Sequence, residues 1–116
     1  MMGKLDGKVG IVTGAGRMRG IGHATALALA REGANVVITG TGRDPKTYPA
    51  DEKALRWRDI DSVAEEILTL GSRPLPIVVD ITKANQVQKL VDKAMAEFGR
   101  IDLLVNNASA PRLAAW

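Results

Sequence analysis

The chain has 116 residues, a net charge of +3, 46% hydrophobic residues and only 3% aromatics. That composition fits one domain with an aliphatic core, and its scattered basic residues and scarce aromatics argue against nucleic-acid binding. No stretch of about 18 apolar residues is present to span a membrane, no signal-peptide pattern opens the chain, and zero cysteines exclude disulfides and disfavour a structural zinc, so a cytoplasmic location is expected.

Residues 9–13, VGIVT, form an apolar run between Gly7 and Gly14 and predict a buried strand. Residues 20–32 place Ile21, Ala24, Leu27, Ala28 and Arg31 at helical spacing, and Gly33 is positioned to stop the helix. Residues 34–39, ANVVIT, are β-branched and predict a second buried strand. Residues 42–59 carry Gly42, Pro45, Pro49 and many charges with little periodicity. They predict a long inserted loop, with a short helix within 51–58; loops of that length in a compact domain are often functional.

Ile60, Val63, Ala64, Ile67 and Leu68 then share one face of a second helix that Gly71 ends. Residues 75–80, LPIVVD, predict a third strand. Thr82 is an N-cap candidate for a third helix with Val87, Leu90, Val91, Ala94, Met95 and Phe98 on one face. Residues 101–109, IDLLVNNAS, predict a fourth strand with a polar exit, and the ending APRLAAW reads as a chain stopped in the following loop.

Strands that are apolar on both faces and alternate with helices call for a parallel sheet covered on both sides. The expected fold is therefore α/β: a Rossmann-like doubly wound parallel sheet in three α/β/α layers, truncated after the fourth strand, with no second domain.

Between the first strand and the first helix lies TGAGRMRGIG. A helix N-terminus carries unpaired N–H groups and about half a positive charge, and a pyrophosphate binds there where glycine lets the backbone approach. Gly14 and Gly16 begin a G-x-G-x-x-G, but position 19 is arginine; Gly16, Gly20 and Gly22 satisfy G-x-x-x-G-x-G instead. A glycine-rich turn of this kind also serves helix packing alone, and no Gly-Lys-Ser/Thr follows to make it a Walker loop.

Together, LDGKVGIVTGAG, GIGHATALALAREGANVVITG, VVDIT and FGRIDLLVNNAS resemble the N-terminal half of a short-chain dehydrogenase/reductase from about Leu5 to Ser109. That family carries T-G-x-x-x-G-x-G, an aspartate after the third strand and N-N-A-G after the fourth. Three departures stand out: a glycine turn two residues longer than usual, the 42–59 segment, and Ser109 in place of glycine. Residues 1–116 are thus expected to be the N-terminal part of a single dinucleotide-binding domain. The resemblance implies hydride transfer between a nicotinamide dinucleotide and a small alcohol or carbonyl substrate, in a parent protein that is a homo-oligomer.

The same resemblance implies that Gly14, Gly16, Arg17, Arg19, Gly20, Ile21 and Gly22 hold the cofactor phosphates, that Asp80 and Ile81 flank the adenine, and that Asn106, Asn107 and Ala108 brace the central strand and line the ribose. NAD-preferring sheets end the second strand with an acidic residue. Here that place falls on Gly40, with no Asp or Glu between Val36 and Gly42, while Arg43 lies just beyond and Arg19 precedes Gly20. NADP(H) is therefore favoured over NAD(H), which stays possible; the same arginines also fit the role of solvated surface charges.

The family's catalytic serine and Tyr-x-x-x-Lys lie further along than this chain. Tyr48, the single tyrosine, has Glu52 four residues on and sits after the second strand, so it does not carry over, and Ser109 comes too early. No catalytic residue is assigned, and the 116 residues alone are expected to be inactive. His23 reads as a surface residue. The alternative to the enzyme is a truncated non-catalytic nucleotide-binding module; a methyltransferase is disfavoured because Gly40 supplies no acid at the end of strand two.

Overall fold

Side-chain alternation along the strands decides the layers. A computed structural model describes residues 3–108 and contains four parallel strands, β1 Val9–Val12, β2 Asn35–Gly40, β3 Pro74–Val78 and β4 Leu103–Val105, in the order β3-β2-β1-β4. The helices are α1 Ile21–Arg31, α2 Ala50–Ala54, α3 Ile60–Thr69 and α4 Ala84–Phe98. Val12, Val36 and Ile38 pack with Ala26 and Ala30 of α1 and with Val63 and Ile67 of α3. Val9, Ile11 and Val37 point the other way and pack with Leu90 and Ala94 of α4. The period of two thus feeds two cores on opposite faces of one sheet, the three-layer α/β/α arrangement.

The chain winds β1, β2, β3 in one direction, then returns to lay β4 against the free flank of β1, pairing Gly10 with Leu103 and Val12 with Val105. A doubly wound sheet binds ligands where its winding reverses, in the crevice beyond the carboxyl ends of the strands. Here that crevice lies above β1 and β4, where the glycine turn and Asn106 to Ala108 emerge.

Local expectations fail in three places. The buried face of α1 is Gly22, Ala26 and Ala30, while Ala24 and Ala28 are exposed and Ile21 is 77% exposed. Small side chains let this helix lie close to the sheet, so its buried stripe does not follow the bulkiest residues. Thr82 does not cap α4: Lys83 is the N-cap and makes no side-chain cap bond, while the Thr82 hydroxyl donates to Asp80 at 2.6 Å. Leu68 on α3, and Val91 and Met95 on α4, are exposed. Residues 42–59 form a 3-10 turn, Pro45–Thr47, followed by α2, which overlaps the short helix expected within 51–58; Asp44 caps the turn by accepting from the Lys46 amide at 3.0 Å. Arg56 and Asp59 close this segment in left-handed backbone conformations, at φ 54° and 50°.

Candidate functional site

Two buried threonines build the crevice floor. Thr13, just past β1, donates its hydroxyl to the Val105 carbonyl at 3.3 Å and accepts the amides of Asn107 and Ala108, each at 3.1 Å. Thr39, in β2, accepts the Gly14 amide on its hydroxyl at 3.2 Å and the Ala15 amide on its carbonyl at 2.8 Å. The Asn107 side chain donates to the Gly14 carbonyl at 2.9 Å. Gly14, Asn107 and Ala108 are thereby tied into one layer across the winding reversal, while Asn106 is exposed beside them.

Gly14 adopts φ 68°, and a Cβ on it would lie 2.7 Å from the Ala108 Cα. A Cβ on Gly22 would lie 2.6 Å from the Gly14 carbonyl oxygen and 2.7 Å from the Asn107 amide nitrogen. These two glycines serve close backbone approach. Gly20 differs: it is the α1 N-cap in ordinary extended conformation, makes no side-chain cap bond, and its nearest neighbour on that side is Arg17 at 3.3 Å. The first helical amides, of Ile21 and Gly22, have no hydrogen-bond acceptor among the described residues, as a phosphate site at a helix N-terminus requires.

The turn itself is bound sideways to the inserted segment. Glu52 accepts the Met18 amide at 2.8 Å, the Trp57 indole donates to the Gly16 carbonyl at 2.6 Å, and Arg19 pairs with Asp51 at 2.5 Å on the surface. Arg17 is exposed and makes no ion pair among the described residues. His23 is not a free surface residue, as the sequence suggested. Its Nδ1 lies 2.7 Å from the Met18 carbonyl, its Nε2 lies 2.6 Å from the Glu66 carboxylate, and its ring packs on Trp57 at 5.2 Å.

Arg43 is likewise committed to the protein. Its Nε donates to Asp59 at 3.1 Å, its Nη2 donates to Glu52 at 3.0 Å and pairs with Asp59, and its guanidinium lies 4.4 Å over the Tyr48 ring. Only 14% of its side chain is exposed, against 4% for Glu52 and 11% for Asp59. The Asp59 carboxylate hydrogen-bonded to it raises the Arg43 guanidinium above its ordinary range. Burial, reinforced by Asp59, pushes the Tyr48 phenol up, opposite to what a tyrosine acid in carbonyl reduction needs.

Beside the end of β2, Gly40, Gly42, Val78, Tyr48 and Trp57 help line a cavity of about 580 Å³ whose charged walls are Arg43, Lys53, Arg56, Arg58, Asp59 and Asp61. Asp80 and Ile81 follow β3 but are not among its lining residues. Asp80 accepts the Thr82 hydroxyl and amide, and these bonds hold its carboxyl below the usual carboxylate range. Ser109, and with it the departure from the family's N-N-A-G, lies outside the described residues.

Sequence reasoning missed Thr13, Thr39, Glu52, Trp57 and Asp59. The threonines carried a legible signal, since each is a hydroxyl at or near the end of an apolar strand. The other three carried none, because their partners lie 9 to 41 positions away.

Residues 8–115 match the family model for short chain dehydrogenase. The 12alpha-hydroxysteroid dehydrogenase of a Clostridium species is 42% identical over 113 residues, covering 94% of this chain and 39% of that protein. Human hydroxysteroid dehydrogenase-like protein 2 is 44% identical, covering 93% of this chain and 24% of that protein. Among solved structures, a short chain dehydrogenase from Mycobacterium thermoresistibile superposes with a TM-score of 0.79 at 37% identity, over 96% of this chain and 36% of the other. The Escherichia coli hydroxysteroid dehydrogenase does so with a TM-score of 0.71 at 36% identity, over 91% of this chain and 38% of the other. The chain therefore spans less than two-fifths of the length of these relatives.

Proposed function

The chain belongs to the short-chain dehydrogenase family, and on that premise we propose that it is the cofactor-binding half of an oxidoreductase passing hydride between NADP(H) and an alcohol or carbonyl substrate. One observation carries the reading: the amides of Ile21 and Gly22, next to the Gly20 N-cap, find no hydrogen-bond acceptor among the described residues, at the point where the winding of the sheet reverses. The dinucleotide's pyrophosphate would sit there, with its adenosine end in the cavity beside Gly40 and Val78 and its nicotinamide end toward Asn106 to Ala108. When bound, the nicotinamide supplies or accepts the hydride; this chain's residues bind and orient the nucleotide.

The preference for a 2′-phosphate rests on Gly40, which brings no carboxylate, and on cavity walls where four cations face two carboxylates. The role given to Arg43 passes to Lys53 and Arg56, because Arg43 is neutralised by Asp59 and Glu52 and Arg58 pairs with Glu65. The proton donor belongs to a Ser and Tyr-x-x-x-Lys beyond this chain, since Tyr48 is buried under Arg43 and lacks a lysine four residues on. That observation also favours the second reading for residues 1–116 taken alone: a module that holds nucleotide without turning it over. The dehydrogenase relatives named for hydroxysteroids support the reaction class. Fluorescence titration of the full-length protein with NADPH and NADH tests the reading, with tighter NADPH binding expected; no binding of either nucleotide overturns it.

A further inference from the structure

The two internal departures from the family pattern touch each other. The glycine turn is longer by two residues, and the 42–59 segment packs directly against those residues. Glu52, 96% buried by its side chain's exposure of 4%, accepts the Met18 amide at 2.8 Å with one carboxylate oxygen and holds Arg43 at 3.0 Å with the other. Trp57 donates its indole N–H to the Gly16 carbonyl at 2.6 Å. Neither bond is a local one; they span 34 and 41 positions.

We infer that Glu52 and Trp57 are positioning residues for the dinucleotide's pyrophosphate, acting through the glycine turn. The inference rests on the proposed cofactor site. A trans peptide is planar, with its carbonyl and N–H on opposite edges. Fixing the Gly16 carbonyl toward Trp57 therefore fixes the Arg17 N–H away from it. Binding the Met18 amide to Glu52 draws the extra residues of the turn onto the inserted segment. The bulge is held aside, and the Ile21 and Gly22 amides stay uncovered. A longer glycine turn without these anchors has more conformations to lose on binding, and part of that ensemble lies across the helix mouth. Arg43 extends the linkage to the adenosine side, because the same Glu52 carboxylate joins it to the turn.

The test uses the full-length protein with Trp57→Phe, which removes the indole N–H and keeps an aromatic ring, and independently Glu52→Gln, which removes the charge and keeps the shape. NADPH, NADH and adenosine are titrated against each variant and against the unaltered protein. Both variants are expected to raise the Kd of the tighter dinucleotide about tenfold, the scale of one good hydrogen bond. Adenosine, which has no pyrophosphate, is expected to lose less affinity than the dinucleotide in both variants, although Trp57 lines its cavity and Glu52 holds Arg43 there. Unchanged or tighter dinucleotide binding in both variants overturns the inference, and so does an equal loss for adenosine, which would mark a collapsed cavity. If the unaltered protein binds neither dinucleotide, the cofactor reading itself fails, and this inference with it.

Discussion

The Thr13 hydroxyl accepts the backbone amides of both Asn107 and Ala108, each at 3.1 Å, and joins the end of β1 to the exit of β4 across more than ninety positions of sequence. The β1–β4 register ends one residue earlier, at Val12 with Val105, so a side chain replaces the next rung of the ladder. Thr13→Val keeps the shape, leaves the half-buried Ala108 amide without its acceptor and removes one of the two acceptors of the Asn107 amide, which keeps the Val105 carbonyl at 3.1 Å. It is expected to cost about 1–3 kcal/mol. Thr13→Ser keeps the oxygen and is expected to recover most of that loss. Urea unfolding of the full-length protein separates the two; equal losses for Val and Ser would assign the effect to packing of the methyl group.

Gly20 and Gly22 stand two residues apart and are expected to fail differently. A Cβ at Gly22 meets the Gly14 carbonyl at 2.6 Å and the Asn107 amide nitrogen at 2.7 Å, so Gly22→Ala forces apart backbone that has nowhere to go. A loss of about 1–3 kcal/mol, the range for overpacked sites, is expected. Gly20→Ala meets only Arg17 at 3.3 Å, in a conformation any residue adopts. Its melting temperature is expected to move by no more than a few degrees, while, with the pyrophosphate at the helix mouth as proposed, an added methyl group there is expected to weaken dinucleotide binding about tenfold. Calorimetric titration decides the point. Undiminished affinity in Gly20→Ala would remove the helix mouth from the phosphate site.

How much of this was legible beforehand follows from the range of each interaction. The β-α alternation, the three layers and the glycine turn depend on local periodicity and on residues within one turn, and the sequence carries them openly. The face of α1 misled because Gly22, Ala26 and Ala30 are buried through their smallness, not their hydrophobicity. Thr82 looked like a cap because a threonine ahead of an apolar stripe usually is one; the helix begins at Ala84, which leaves Thr82 one residue short of the N-cap position that Lys83 takes. Arg43 looked free to meet a phosphate because Asp59 and Glu52, which neutralise it, are supplied by a segment whose path no local pattern revealed. The cations that remain in that cavity, Lys53 and Arg56, belong to the same segment.

Asp102 anchors the amino ends of the same two strands. Its carboxylate accepts the Val9 amide at 2.8 Å and both arms of Arg100, at 2.8 Å each, and its own amide donates to the Val9 carbonyl at 2.8 Å. Arg100 first, then the Val9 amide, lowers its pKa in the folded state. A depressed carboxyl stabilises the fold above the unfolded pKa, about 3.9 for aspartate, and loses that contribution as pH falls through the lower folded value. Asp102→Asn is therefore expected to be less stable than the unaltered protein at pH 7 and equal to it in strong acid. A stability gap that stayed constant in urea melts from pH 7 down through the acid range would assign the loss to geometry, not charge.

Arg43 supplies the sharpest contrast between removing one charge and removing a set. Glu52 and Asp59 hold it from two sides, Tyr48 covers it, and little of the three charged side chains meets water. Arg43→Leu leaves two nearly buried carboxylates without their cation, and breaking a buried pair in this way costs about 3–5 kcal/mol. Adding Asp59→Asn and Glu52→Gln takes away the stranded charges. The triple variant is expected to regain much of the lost stability, because the desolvation penalty disappears along with the attraction. Additive losses across the three substitutions would instead mean that each side chain contributes through its own packing. The regained stability should not bring back dinucleotide affinity, since the glutamine at position 52 no longer offers the Met18 amide a charged acceptor. Stability and cofactor affinity, measured on one set of variants by urea melts and nucleotide titration, therefore separate what the cluster does for the fold from what it does for the glycine turn.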